Sequence, residues 1–154
     1  MESSYVDVTF HSSIDEDTDF IDGSVKIHLI NIDNEERIKI GWANFYLLNT
    51  YTSVGRRDIL LRADGVSGDL FEVMGGLYED LEDDDFLGFV AVMAHFKIDE
   101  GYRGRGYGKE AFTKIIKYFE LLNVDYFALI PYPVEIERED VTKQDIQKLV
   151  KFYQ

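Results

Sequence analysis

Residues 86–98, FLGFVAVMAHFKI, form a nearly unbroken apolar run. A strand with one wet face alternates polar and apolar residues, whereas a strand covered on both faces does not. The run therefore predicts a central strand. The residues after it narrow the choice. Ala111, Phe112, Ile115, Ile116, Phe119 and Leu122 share one helical face within residues 109–122, and Asn123 marks a stop. Residues 124–130, VDYFALI, read as another strand, ended by Pro131 and Pro133. Strand, helix and strand in that order imply a parallel pair with a right-handed crossover.

The first half of the chain has a different grammar. Val25, Ile27 and Leu29 alternate with Lys26 and His28 over residues 24–32, and residues 37–48 are rich in β-branched and aromatic side chains. Asp33-Asn34 between them predicts a hairpin. Residues 5–10, YVDVTF, alternate as an earlier strand. The polar segments 12–22 and 50–57 read as loops. From Ser67 the period becomes helical, with Leu70, Val73, Met74, Leu77 and Leu81 on one face and Ser67 or Asp69 as cap. Gly75-Gly76 weakens that helix. Residues 79–85 hold six acids in seven positions and read as a solvated loop. A charged linker over 135–140 leads to a short helix over 142–153, capped by Thr142, with Ile146, Leu149 and Val150 facing inward. The fold class is α/β of the α+β kind: a mixed, mostly antiparallel central sheet with flanking helices and one parallel pair.

With 154 residues, 45% of them hydrophobic, the chain suits one domain with a sizeable core. No apolar stretch has the length of a membrane span. The net charge of −14 argues against a nucleic-acid partner. It suits solubility, or a preference for cationic partners such as amines, polyamines or basic peptides, or imitation of nucleic acid. There is no cysteine, hence no disulfide, thiolate metal site or cysteine nucleophile. His11, His28 and His95 lack metal-ligand spacing, and no Gly-x-Ser-x-Gly occurs. Neither a metal nor a covalent intermediate is expected. The first residues, MESSY, lack the features of a signal peptide. The expected setting is cytoplasmic, without membrane attachment.

Between the central strand and its helix lies Gly101-Tyr102-Arg103-Gly104-Arg105-Gly106-Tyr107-Gly108-Lys109. Glycines let a backbone bend and come close to a ligand. The first N–H groups of the following helix point outward at an anion, so this is a cradle for a pyrophosphate. The alternative is a structural turn, but two arginines and a lysine here are notable in so acidic a chain. There is no Gly-Lys-Ser/Thr, so it is not a P-loop, and its place in the second half of the chain does not suit a dinucleotide-binding unit.

The pattern Arg-x-x-Gly-x-Gly, filled by Arg103, Gly106 and Gly108, resembles the acyl-CoA-binding motif of the GNAT superfamily of N-acetyltransferases, over residues 86–153. The resemblance implies a single acyltransferase-like domain, 1–154, and direct acetyl transfer from acetyl-CoA to a small-molecule or peptidyl amine. In the family the end of the long strand splays from its neighbour and pairs with the pantetheine arm, here Phe96, Lys97 and Ile98. The backbone of Arg103 to Lys109 would hold the pyrophosphate, with charge from Arg105 and Lys109 and Arg103 orienting the loop. A tyrosine on the last helix often protonates the departing thiolate; Tyr153 matches that pattern, against a reading as a packed terminal aromatic. Relatives often place a glutamate base on the central strand. Residues 86–98 have none, which leaves His95, Asp85 or a water chain from acids elsewhere. Trp42, Tyr46, Glu72, Tyr78 and Glu79 would line the amine site, unless the aromatics are core. The family normally adds one or two strands after this point, so the implied domain lacks its last strands, takes one from a partner, or closes differently. A monomer or homodimer is expected. The rivals are a non-catalytic acyl-CoA-binding module and an acidic protein-interaction module.

Overall fold

The computed structural model describes residues 3–130. Five strands form one sheet in the order β1-β2-β3-β4-β5: β1 (Ser4–Asp15), β2 (Phe20–Asn31), β3 (Arg37–Asn49), β4 (Phe89–Ile98) and β5 (Tyr126–Leu129). The first four are antiparallel to their neighbours and β5 runs parallel to β4. Among the described residues three helices accompany them: α1 (Gly55–Val66), α2 (Gly68–Leu81) and α3 (Tyr107–Leu121). The fold is mixed α/β.

Strand alternation divides the core in two. Ala91 and Met93 of β4 face α3, packing with Val25, Ile27, Ala43 and Phe45 against Phe112, Ile115 and Phe119. Val90 and Val92 face the other way, toward Ile59 and Ala63 of α1 and Leu70, Met74 and Leu77 of α2. Over Val90 to Met93 both faces of β4 are thus covered, which is why the sequence does not alternate there. Each large side chain buried this way contributes about 1.5–3 kcal/mol.

Several segments depart from expectation. Residues 12–22 are not a loop: the β1–β2 pairing continues through Ser12↔Gly23 and Ile14↔Ile21 to Asp15↔Phe20. The turn is only 16–19, where Asp19 N–H bonds Asp15 C=O at 2.8 Å. Cross-strand backbone bonds need no apolar side chains, so a polar extension leaves no hydrophobic signal. Residues 50–57 hold a single 3₁₀ turn, Thr50–Thr52, and the start of α1. That helix buries only Ile59 and Ala63, too few positions to show a period. Ser67 caps α2 as expected, accepting from Leu70 N–H at 3.1 Å. The helix passes through Gly75-Gly76 and takes up the first of the acidic residues, ending on Glu82 in the left-handed region. Asp84 then pairs with Arg56 at 3.0 Å. Phe86 is core but precedes β4. Leu122 lies past the end of α3 and is exposed. The expected helix over 142–153, with Tyr153, lies outside the described residues.

Candidate functional site

The end of β4 is built by two irregularities. Asn44 pairs with His95 but Phe45 pairs with Met93, so Ala94 is the extra residue of a β-bulge. The bulge reverses the alternation: Ala91 and Met93 face α3 before it, Phe96 and Ile98 after it. His95 and Lys97 consequently turn to the opposite face. On the other edge, among the described residues, β5 pairs with β4 over Val90 to Met93, and Ile130 N–H bonds Met93 C=O at 3.0 Å. Among the described residues, that pairing stops one residue short of the bulge.

Beyond it, β4 is held by β3 alone among the described strands. Gly41 permits this approach; a Cβ there would sit 2.2 Å from the Lys97 carbonyl oxygen. Asp99 N–H bonds Ile40 C=O at 2.7 Å, so odd-numbered backbone groups face β3. Backbone groups alternate along an antiparallel strand, so those of Phe96 and Ile98 face the edge away from β3. The Arg103 side chain donates from Nε to the Ile98 carbonyl at 2.7 Å, fastening the loop to the strand end.

The glycine loop is exposed rather than packed: Gly101, Gly104, Arg105, Gly106 and Lys109 are exposed, while Gly108 is buried at the foot of α3. Gly104 (φ 75°) and Gly106 (φ 82°) are left-handed, a conformation that costs an ordinary residue about 1–2 kcal/mol. A Cβ on Gly106 would meet nothing within 4 Å, so its backbone angle, not crowding, calls for glycine. Gly106 stands directly before α3, and Tyr107 is half-buried beside it.

On the face opposite α3, His95 and Trp42 lie together, ring centres 5.8 Å apart, and His95 Nδ1 is 2.9 Å from Asn44 Oδ1. Tyr46 lies further along β3 on that face, at the margin of the α1/α2 core. Burial, then the Asp22 and Asp15 carboxylates, raise its pKa. The other three expected amine-site residues lie on α2, apart from this group. Tyr78 is 1% exposed, ring 4.8 Å from Phe86 and beneath the Arg56 guanidinium, and burial raises its pKa. Glu72 lines a cavity of about 350 Å³ with Asp80, Ala128 and Leu129; Glu79 is exposed. Asp85 precedes β4, some 20 Å or more along the strand from His95 at about 3.3 Å per residue. No group of three or more His, Asp or Glu that could hold a metal occurs among the described residues. No described helix is long and apolar enough to cross a membrane.

Register also brings in residues that sequence reasoning passed over. Lys26 and Lys97 stand directly opposite Trp42 on either side, and Ser24 and His95 flank Asn44 in the same way. Alternation alone put Lys26 on a solvent face; only the pairing and the bulge reveal its neighbours. Comparisons with family models, curated proteins and solved structures returned no match.

Proposed function

We propose that this protein is an N-acetyltransferase that moves the acetyl group of acetyl-CoA directly to a primary amine in a cytoplasmic setting. One observation carries the reading: past its bulge and its described pairing with β5, β4 runs on into an exposed, arginine-bearing glycine loop at a helix N-terminus. The donor groups suit acetyl-CoA. The loop bent by Gly104 and Gly106 and the start of α3 would turn backbone N–H groups toward a diphosphate, with Arg105 and Lys109 supplying positive charge nearby. The backbone of Phe96 and Ile98, with Lys97 between them, offers a strand edge to the pantetheine arm. Arg103 is a positioning residue, since it holds the loop to Ile98.

Acetyl-CoA supplies an activated thioester. Transfer breaks its C–S bond and forms a C–N bond; the amine gives up one proton and the sulfur accepts one. An ordinary alkyl amine with pKa near ~10.4 must first be deprotonated. His95 is the better-placed base, because Asp85 stands at the far end of the strand. Tyr153 keeps the role of acid toward sulfur and lies outside the described residues. Strand N–H groups at the bulge would polarise the thioester carbonyl.

Calorimetric titration with acetyl-CoA tests the reading: saturable binding is expected, abolished in Gly106→Arg, and absence of binding to the wild type discards it. One observation favours a non-catalytic acyl-CoA-binding role instead, namely that β4 carries no carboxylate. Turnover of an amine panel separates the two, and an undiminished rate in Tyr153→Phe removes that residue from the chemistry.

A further inference from the structure

We infer that the amine accepted by this site carries an anionic group, a carboxylate or phosphate, held over Trp42 between Lys26 and Lys97. The inference rests on the acetyltransferase reading and narrows its substrate. The sheet face opposite α3 has two halves. Rows Tyr46–Val92 and Leu48–Val90 lie at or beneath the α1/α2 core. The adjoining rows are Thr9–Lys26–Trp42–Lys97 and His11–Ser24–Asn44–His95. These eight positions hold two lysines, two histidines, a tryptophan and no carboxylate, in a chain with thirty acids. Lys26, Ser24, His11 and His95 are exposed, and Trp42 and Lys97 half-buried.

Among the described residues, the nearest acids by register are Asp7, paired with Arg37 at 3.3 Å, and Asp22 beside Tyr46; Asp99 and Glu100 follow the strand end. The two lysine strands are separated by two strand spacings, about 10 Å, so their ammonium groups can converge above Trp42 on one small anion. A polyamine would meet like charge here. The carboxylates that would suit one, Glu72 and Glu79, belong to α2. His95 borders the same floor, so an anion on the lysines would leave the neighbouring amine beside it.

Trp42 is the only tryptophan, so its fluorescence reports on this floor without acetyl-CoA. Full-length protein is titrated with phenylalanine, phosphoethanolamine, phenethylamine and spermidine. A saturable change is expected with at least one of the first two, the stronger response telling carboxylate from phosphate, and none with the last two. Each of Lys26→Gln and Lys97→Gln should weaken the response roughly fivefold, as for an exposed ion pair worth up to about 1 kcal/mol. With acetyl-CoA present, Lys26→Gln should raise KM for the anionic amines while acetyl-CoA affinity stays unchanged. Phenethylamine or spermidine binding as well as the anionic amines overturns the inference, as does indifference to both lysine substitutions. Acetyl-CoA binding with no anion response sinks this inference and spares the transferase. An anion response without acetyl-CoA binding sinks the transferase and the acceptor role together.

Discussion

Asn123 follows the last turn of α3 at φ 61°. Its N–H bonds Glu120 C=O, and Val124 N–H bonds Phe119 C=O, both at 3.0 Å. This closes the helix with paired carbonyls and packs Val124 in the same core as Phe119. Asparagine tolerates the left-handed region; a β-branched residue does not. Asn123→Val should therefore lower stability by about 1–2 kcal/mol in urea unfolding, and Asn123→Gly should match or exceed the wild type. His28 carries a different single-residue prediction. Burial, then the Arg37 guanidinium whose Nη2 stands 3.5 Å from Nδ1, lower its pKa below 6.5. The unfolded chain then binds the proton more readily than the native one. Native stability is unaffected by this group above pH 6.5 and is lost as pH falls from there through the folded pKa. His28→Gln should flatten that part of the stability profile, and parallel profiles for the two proteins would refute the linkage.

At the scale of elements, the site depends on how β3 holds β4. At the start of β4, Thr50 is 1% exposed; its hydroxyl accepts from Gly88 N–H at 2.8 Å and lies 3.1 Å from the carbonyls of Phe86 and Gly88. Thr50→Val keeps the shape but strands a buried N–H and a carbonyl, which should cost roughly 2–3 kcal/mol in thermal or urea unfolding. At its other end Gly41 lies against the backbone of Lys97 and Ile98. A methyl group there must push β4 away, so Gly41→Ala should lose about 1–3 kcal/mol and weaken acetyl-CoA binding along with it. Stability lost without any change in acetyl-CoA affinity would separate the strand end from the ligand. The outer edge of β1 is covered by α3, where Glu110 accepts from Val6 N–H at 2.6 Å and Lys114 donates to Val6 C=O. Such cover blunts an edge that would otherwise invite pairing.

Across the whole molecule, charge is the dominant long-range term. A net charge of −14 repels itself, and the ion pairs Arg37–Asp7, Arg56–Asp84 and Arg62–Asp58 lie near the surface and contribute little. Added sodium chloride screens the repulsion. Tm should rise by roughly 2–4 °C between low salt and 0.5 M, equivalent to about 1 kcal/mol in a domain of this size. A fall would mean that local attraction outweighs the global field. The cationic floor around Trp42 is the local exception to that field, and its ligand response should weaken over the same salt range.

Local chemistry made part of this structure legible before any coordinates. The apolar run of β4, the helical face of α3 and the turn at Asn34 are written in neighbouring residues, because burial on both faces, on one stripe or on none leaves different periods. The glycine loop was legible because left-handed angles, as at Gly104 and Gly106, favour glycine. Polar pairing beyond Phe10 and the narrow apolar stripe of α1 left no such trace. Only the tertiary structure decided that Lys26 and Lys97 flank Trp42, and that Tyr78 is core rather than part of that floor. Those relations follow from cross-strand register and from one inserted residue at Ala94, and a chain read one strand at a time carries no record of which strand lies beside it.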